Sequence, residues 1–420
     1  CTTKELSRLG LEQIPTQFQS HKHLIYSSPA TLAFNSPGAE GFGVKRAGLA
    51  VPDSIMLIVA PGCCGRNTSL ISSMKEYNDR FYYLMMDETD IVTGRHLKKI
   101  PKAVEEICSV CPKKPSVVMI CITCVDALLG TDMERVCKKA EEQVEIPVRP
   151  CYMYALTREG RKPPMVHVRQ SLYSLLEPGK KKGNVVNLLG FFSPLVDDCE
   201  IYDLLHSAGV KTIHEISRCK DYMEYQTMSE ANFNLVLHHE ARFAAEDFHN
   251  RLQIPFIELR RLYQIDKIEN QYHALGNALG VAFYDEKYKK QAEDALEKFR
   301  QRCPDASFAI GECLNADPFE LSLALIRYGF SVPEIYGTIT VENFTYIRSL
   351  AKISPETKVF SNMEPTMIYY DPAKSDVNLA IGKDACYYHP DCPYVMWNGE
   401  EQPYGYAGVR RLFEQLLEVV

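Results

Sequence analysis

The sequence predicts an α/β fold in three similar layers, in which parallel sheets are flanked by helices. Short apolar runs alternate with longer amphipathic stretches along the chain. The runs are rich in β-branched residues or apolar on both faces, which suits strands covered on both sides of a parallel sheet. Alternation of such strands with helices indicates α/β architecture. The length of 420 residues leaves room for two or three domains.

Five runs are predicted to be strands. In chain order they are 54–60, 116–122, 184–192, 233–239 and 307–312. Helical patterns are predicted between and after these strands. They cover 100–111, 198–210, 269–303, 317–330 and 405–420. Of these, 269–303 is a long helical region, and Gly209 stands where a helix ends in C-cap style.

Changes in local composition predict the domain boundaries. The stretch 177–184, EPGKKKGN, is rich in Gly, Pro and Lys and precedes a strand, which marks a domain start. A second start follows Cys303-Pro304. We therefore expect domains at 1–180, 181–303 and 304–420, although no internal sequence repeat is visible.

Charge and composition exclude several classes of protein. The net charge of −7, from 47 basic and 54 acidic residues, argues against a nucleic-acid-binding surface. No run approaches the ~18 apolar residues of a membrane-spanning helix, and charged residues near the start argue against a secretory signal. With 15 cysteines, a reducing cytoplasm and an anaerobic setting fit best. No P-loop is present, so any ATP hydrolysis coupled to this chain belongs to another protein.

Three cysteine groups stand out, and two of them follow predicted strands. Cys63 and Cys64 come after the first strand, and Cys121 and Cys124 lie at the end of the second. Ligands of open α/β sheets bind at such strand ends, and thiolates are the ligands of iron–sulfur clusters. Gly62 and Gly65 flank the first pair and allow the backbone to pass close to a bulky inorganic ligand.

Other interpretations of the cysteines stay open. A free cysteine is often a small buried hydrophobe, and Cys108 and Cys111, on one face of a predicted helix, fit that role. A zinc site joining both C-x-x-C pairs would have to span a strand of roughly 23 Å, which is too long for one ion. A thioredoxin-like redox pair at Cys121 and Cys124 remains an alternative.

Several segments, in order, resemble the nitrogenase component 1 family. APGCCG (60–65) looks like its Gly-Pro-x-(Gly/Ala)-Cys segment, and CITCVDALLGTDMERV (121–136) is similar to its Thr-Cys stretch before an acidic helix. DETDIVTG (87–94) matches a related acidic segment. Residues 232–259 resemble its central strand, helix and Ile-Pro strand, and 396–413 its C-terminal Trp, Pro-Tyr and Gly-Tyr-x-Gly pattern. The resemblance runs from about residue 30 to the end.

The resemblance implies three Rossmann-like domains and a dimer with an iron–sulfur cluster at the subunit interface. It also implies a separate ATP-hydrolysing iron–sulfur reductase that docks transiently and delivers electrons. Carried over one residue at a time, Cys64 and Cys124 fall on family cluster ligands, with Cys63 and Cys121 as spare ligands or supporting residues. Residues 32–41 lack the family's earlier cysteine, which makes an eight-iron cluster unexpected. Two thiolates per chain suggest a 4Fe-4S cluster shared by a homodimer, or by a heterodimer.

The residues expected to bind the nitrogenase cofactor are different in this chain. Leu237-His238-His239 stands where the family has its cofactor cysteine, and Val395-Met396 precedes Trp397 where the family has a histidine. Dinitrogen reduction is therefore not expected. His238 or His239 could bind another metallocofactor or protonate a substrate, or they could be structural histidines.

Three functions follow as hypotheses. The first is a nitrogenase-like oxidoreductase component that passes electrons through the interfacial cluster to a substrate other than dinitrogen. The second is a scaffold that assembles a metallocofactor and hands it on. The third is a simple thiol-redox or zinc protein.

Overall fold

The computed structural model describes residues 1–19, 43–62, 75, 77–122, 129–152 and 162–420, and every structural statement concerns these residues. The strands are β1 Ile55–Ala60, β2 Phe81–Met85, β3 Val118–Ile122, β4 Val148–Tyr152, β5 Val185–Leu189, β6 Thr212–His214, β7 Phe233–Val236, β8 Phe256–Glu258, β9 Ser307–Ile310, β10 Ser331–Tyr336, β11 Lys358–Phe360, β12 Leu379–Ile381 and β13 Tyr394–Val395. The helices are α1 Thr3–Leu9, α2 Val44–Ala47, α3 Glu88–Thr93, α4 His96–Val110, α5 Met133–Val144, α6 Pro164–Tyr173, α7 Glu200–Ser207, α8 Tyr222–Gln226, α9 Arg242–Leu252, α10 Ile265–Leu279, α11 Glu286–Arg302, α12 Pro318–Arg327, α13 Phe344–Ile353, α14 Lys383–Tyr388 and α15 Gly405–Val419.

The strands form three parallel sheets with one common topology. Their orders are β2-β1-β3-β4, β6-β5-β7-β8 and β11-β10-β9-β12-β13. In each sheet the next strand or strands along the chain add to one side of the first strand. The later strands then add to its other side. The predicted α/β class with helix-flanked parallel sheets is confirmed. Each sheet therefore has a topological switch point, at β1/β3, β5/β7 and β9/β12, where ligands of such sheets bind.

The first sheet shows why its strands appear as unbroken apolar runs in the sequence. All six residues of β1 are buried. Met56, Ile58 and Ala60 pack into one apolar cluster, whereas Ile55, Leu57 and Val59 pack into another. Because successive side chains point to opposite faces, both faces of β1 are covered.

All five predicted strands are confirmed, in shorter form, as β1, β3, β5, β7 and β9. The predicted helices are confirmed as α4, α7, α12 and α15. The long helical region 269–303 consists of two helices, α10 and α11. Gly280 ends α10 at φ +70°, a left-handed conformation that glycine adopts with little cost.

Contacts divide the chain into two compact units. One contains residues 1–36, 194–209 and 260–420 with the third sheet, and the other contains 37–193 and 210–259 with the first and second sheets. The three predicted domains each contain one sheet, and their exact boundaries stay a prediction. Among the described helices, none has the length and apolar character to cross a membrane.

Trp397, the single tryptophan of the chain, is the second residue after the end strand β13 of the third sheet. Its backbone has φ +45°, which is rare for a bulky residue. The side chain is buried, and its indole N–H donates to the hydroxyl of Tyr263 over 2.6 Å. This contact holds the chain in place as it leaves the sheet.

Candidate functional site

The switch point of the second sheet brings a set of polar side chains together. It lies between β5 and β7, which pair in parallel with Leu189 beside Val236. The ladder continues beyond the strands, because the Leu237 N–H donates to the Leu189 carbonyl over 2.7 Å. Gly190 follows β5 at this edge, and His238 and His239 follow β7.

Gly190 permits the two strand ends to approach each other closely. Its φ is +145°, a region that favours glycine, and a Cβ atom there would lie 2.8 Å from the His238 backbone nitrogen. A side chain at this position would therefore push the two loops apart. The close approach places the histidines directly beside the end of β5.

The two histidines form a stacked pair at the carboxyl end of β7. Their ring centroids are 4.5 Å apart with an interplanar angle of 29°. Phe191 packs its ring edgewise against His238 at 5.7 Å. The His238 side chain is 34% exposed, and His239 is exposed. Both imidazoles can therefore meet a ligand at this edge.

Hydrogen bonding favours one tautomer of His238. The Glu240 backbone N–H donates to His238 Nδ1 over 3.4 Å, which requires a lone pair on Nδ1. In the neutral ring the proton then resides on Nε2.

Arg169, on α6, is buried and joins segments next to the histidine pair. Its guanidinium donates to the Gly190 carbonyl from Nε and Nη2, over 3.1 and 2.7 Å. Nη1 donates to the Met165 carbonyl over 2.9 Å and to Glu240 Oε2 over 2.7 Å. The same group lies 4.6 Å from the ring centroid of Phe192. Burial lowers the pKa of Arg169, an effect that the Glu240 carboxylate opposes.

The switch point of the first sheet is the predicted cluster site. β1 and β3 pair in parallel, with Val59 beside Ile122. Cys63, Cys64, Gly65 and Cys124 lie outside the described residues, so their roles stay predictions. Gly62 is exposed, and among the described residues a Cβ atom there would meet the terminal methyl of Met85, at 2.9 Å.

Cys121 lies within β3 and is fully buried in an apolar cluster. Its register partner on β4 is Cys151, which is also fully buried. A hydrogen bond between the two thiols lowers the pKa of Cys121 and raises that of Cys151. Cys121 therefore has a partner in the core, and its alternative role as a cluster ligand stays a prediction.

Cys108 and Cys111 pack against the apolar core of the first sheet, as their predicted packing role requires. Cys108 lies on α4, and Cys111 is the residue that ends this helix. The Cys111 sulfur is 3.1 Å from the hydroxyl of Tyr82. Within the described ranges, no three His, Cys, Asp or Glu side chains are grouped so as to hold a metal ion.

The acidic segment 87–94 forms the whole of α3 with its two cap residues, Asp87 and Gly94, shortly after the carboxyl end of β2. Asp87 and Asp90 form a capping box there. Asp90 is buried and pairs with Lys99 over 2.6 Å and with Arg95 over 3.0 Å. The hydrogen bond from Lys99 is the main cause that lowers the pKa of Asp90 to about 2. The ion pairs of Asp90 with Arg95 and Lys99 therefore fix the segment against the start of α4.

The switch point of the third sheet carries a carboxyl pair that sequence reasoning missed. Asp384 is buried and accepts backbone N–H groups from Glu312 and Cys313, over 2.8 and 3.0 Å. The Asn362 amide donates to Asp384 over 2.6 Å. Burial is the main cause that raises the pKa of Glu312. These residues are scattered through the sequence, and only the strand order brings them together.

Arg169 is also a residue that sequence reasoning missed. It is one arginine within an ordinary helical stretch, and no motif marks it. The signal that could have found it is the expectation that residues after β5 and β7 meet, which requires knowing that these strands are neighbours.

Comparison with known proteins gives consistent results. The family model of the nitrogenase component 1 type oxidoreductase matches residues 40–420. The iron-molybdenum cofactor biosynthesis protein NifE of Sinorhizobium fredii is 25% identical over 418 residues, covering 93% of this chain and 82% of that protein. NifE of a Nostoc species is 25% identical over 284 residues, covering 64% of this chain and 58% of that protein. A solved structure, nitrogenase Cp1 at pH 6.5, is similar in fold with a TM-score of 0.71 and 18% identity, covering 94% of this chain and 92% of that one.

Proposed function

Because the chain belongs to the nitrogenase component 1 type oxidoreductase family, we propose that it is a scaffold on which a metallocofactor is assembled and from which it is handed on. The observation that carries this proposal is the similarity, along 93% of the chain, to a cofactor biosynthesis protein. The scaffold was the second hypothesis from the sequence, and this similarity favours it over a substrate-reducing enzyme.

The second sheet supports the scaffold role. At its switch point the described residues offer a stacked imidazole pair, with an N–H donor on His238 implied by the Glu240 contact. Hydrogen-bond donors hold an anionic, sulfur-rich group without a covalent ligand bond. Such holding permits release to an acceptor protein, as a scaffold requires.

An iron–sulfur cluster at the first sheet is the second part of the proposal. Cys64 follows the end of β1 by four residues, and Cys124 follows the end of β3 by two. These strands are paired neighbours at the switch point, which supports a site shared by the two segments that follow them in sequence. Two thiolates satisfy half of a 4Fe-4S cluster, and we propose that a second subunit, identical or related, supplies the rest. The cluster would supply electron transfer.

An electron-donating partner completes the proposal. The chain has no P-loop, so an ATP-hydrolysing iron–sulfur reductase would dock transiently and deliver electrons. A reducing cytoplasm suits both free thiols and the cluster.

A reductase of a substrate other than dinitrogen is the second candidate function. Family membership supports it, and the exposed His239 could then protonate a bound substrate. The two candidates share the cluster but differ in what leaves the protein: a cofactor or a reduced product.

The cluster assignment is tested by replacing Cys64 and Cys124 with serine in the full chain, purified without oxygen. We expect the double variant to lose most of its iron and acid-labile sulfide. The matched control replaces Cys108 and Cys111, which pack on the core outside this edge, and should keep both. Unchanged iron in the Cys64/Cys124 variant would remove the cluster from the proposal.

Transfer of metal distinguishes scaffold from reductase. The iron-radiolabelled chain is incubated with a cofactor-free component 1 protein, with reductase and ATP present. A scaffold is expected to pass label to the acceptor in about stoichiometric amount and to lose its own. Retained label, together with many turnovers of a reduced product per chain, would establish the enzyme instead.

A further inference from the structure

We infer that Asn398 is a site of spontaneous deamidation, in which the backbone nitrogen of Gly399 attacks the carbonyl carbon of the Asn398 side chain. The pair lies in the segment that follows β13 of the third sheet. It is the single Asn-Gly dipeptide of the chain. The inference is independent of the proposed function, because it concerns a covalent modification and no cofactor.

The chemistry of the pair gives the first step. In deamidation the backbone nitrogen of the following residue must come close to the asparagine side-chain carbonyl carbon. Glycine favours this approach, because it has no Cβ atom and its backbone adopts many conformations. Asparagine is among the thermolabile residues of proteins, and its amide is most labile where glycine follows it.

The second step is that the structure leaves both reacting groups accessible. Asn398 and Gly399 are exposed, and both lie outside the helices and strands. Among the described residues, none accepts the Gly399 N–H or forms a hydrogen bond with the Asn398 side chain. An asparagine amide that is bonded to a neighbouring group is held in place, whereas this one is free to turn towards the Gly399 nitrogen.

The third step is that Asn315 holds the segment on both sides of the pair. Its backbone N–H donates to the Trp397 carbonyl over 2.7 Å, and its side-chain amide donates to the Gly399 carbonyl over 2.8 Å. The peptide plane that joins Asn398 to Gly399 lies between these two held carbonyls. Because the backbone turns only about φ and ψ, this plane can rotate while the flanking peptides stay in place. The reaction therefore does not require the third sheet to unfold.

The reaction needs only water and hydroxide. The Gly399 N–H gives its proton to hydroxide, and its nitrogen forms a bond to the Asn398 side-chain carbonyl carbon. The bond from that carbon to the amide nitrogen breaks, and this nitrogen takes a proton from water and leaves as ammonia, which regenerates hydroxide. Water then opens the cyclic imide at either carbonyl. The products are aspartate and an isoaspartyl link, and nothing is oxidised or reduced.

The product places a new charge in an acidic segment. Glu400 and Glu401 follow the pair directly and are exposed. An isoaspartyl link also adds a carbon to the main chain next to Trp397, whose φ is already +45°. Both changes should weaken the hydrogen bonds from Asn315. The modification thus acts on the segment that joins β13 to α15.

The experiment is incubation of the full folded chain at mildly alkaline pH, followed by digestion and mass spectrometry. The peptide that contains Asn398 should gain the mass difference between –NH2 and –OH and separate into aspartyl and isoaspartyl forms. Asn378 is the internal control, because it is exposed but precedes Leu379. Its amide accepts the Ser307 N–H over 2.8 Å and donates to the Asp305 carbonyl over 3.1 Å, so it should stay intact.

Gly399→Ala is the matched variant. A Cβ atom there would meet nothing within 4 Å, and the φ of Gly399 is not positive, so the variant should fold normally. The added methyl group hinders the attacking nitrogen, and most of the modification should be lost. Asn398→Gln should lose it as well, because its longer side chain would have to close a larger ring.

The urea-unfolded chain serves as the positive control, because its Asn-Gly peptide is unrestrained. The inference would be overturned by an Asn398 that stays intact in the folded protein after the unfolded chain has converted. Equal conversion at Asn398 and Asn378, or equal conversion with and without Gly399→Ala, would also overturn it. The result of the iron and transfer experiments has no bearing on these outcomes, since they involve other residues.

Discussion

Glu320 is a carboxyl group held inside the protein at the start of α12. It is fully buried and accepts N–H groups from Tyr263 over 2.9 Å and from the Gln264 side chain over 2.9 Å. Burial is the main cause that raises its pKa to about 7 from an ordinary 4.5. The backbone and amide donors only partly offset this rise.

This raised pKa gives a testable pH dependence. As pH rises from the ordinary value to about 7, the unfolded chain releases the Glu320 proton while the folded protein keeps it. The contribution of Glu320 to the free energy of unfolding should therefore fall over that window, by about 3 kcal/mol, and level off above it. Urea unfolding at about pH 5 and about pH 8 measures the difference.

The matching variant is Glu320→Gln, which cannot titrate. The free energy of unfolding of this variant should be lower, because its side-chain amide faces N–H donors. The part of the pH dependence of this free energy that Glu320 causes should be absent. Glu297→Gln, on the exposed surface of α11, changes the same charge and should keep the slope. An unchanged slope in Glu320→Gln would assign it to other groups.

At the residue scale, side chains that belong to a motif can be predicted from the sequence. Side chains that join a site only because the fold brings distant segments together cannot. His238 and His239 could be predicted because they follow a recognisable strand. Arg169 and Asp384 could not, because Glu240, a partner of Arg169, lies 71 residues away in sequence and Glu312, a partner of Asp384, lies 72 residues away. Nothing local marks them as members of a site.

At the scale of elements, β5 offers a comparison between its two ends. Gly183 precedes the strand, and a Cβ atom there meets nothing within 4 Å. Gly190 follows it, at φ +145° and 2.8 Å from the His238 nitrogen. The same small change should therefore have different consequences at the two ends.

We expect Gly190→Ala to destabilise the protein by roughly 1–3 kcal/mol, from backbone strain and the forced separation of the loops. Gly183→Ala should change stability by no more than about 0.5 kcal/mol. Thermal and urea unfolding measure both. The His238 resonance should also shift in Gly190→Ala, and equal stability of the two variants would contradict the close approach.

Burial explains which elements could be predicted. Strands covered on both faces, such as β1 and β3, give continuous apolar runs. In the edge strand β2 only Phe81 is buried and the other four residues are half-buried or exposed, and β13 has only two residues. Their patterns are too weak or too short to stand out. The boundary between α10 and α11 at Gly280 is not predicted from the sequence, because a single glycine is tolerated inside many helical patterns.

At the scale of the whole molecule, one strand order is used three times with different chemistry. The cysteine segments follow the strands of the first switch point in sequence, whereas the second switch point carries the histidine pair and the third the Glu312–Asp384 carboxyl pair. The sequence shows no repeat, because strand order depends on apolar patterning and on connection handedness, which many sequences satisfy. The expectation of three Rossmann-like domains came from the resemblance to a family, because apolar patterning does not specify strand order.

The cysteines predict how the folded chain responds to reductant. Every described cysteine is a free thiol, so no disulfide among the described residues contributes to stability. The midpoint of thermal unfolding, measured without oxygen and with cluster removed, should be the same with and without a thiol reductant. A large decrease on reduction would reveal a disulfide involving Cys63, Cys64 or Cys124.

The buried tryptophan gives this protein a built-in optical probe. Trp397 is the only indole in the chain, and its N–H is bonded to Tyr263 within the unit that contains the third sheet. Indole fluorescence therefore originates from one residue, and its emission wavelength and intensity change when the Trp397 side chain becomes exposed to water. Local unfolding of this unit can thus be followed separately from unfolding of the unit that contains the first and second sheets, without attaching any dye.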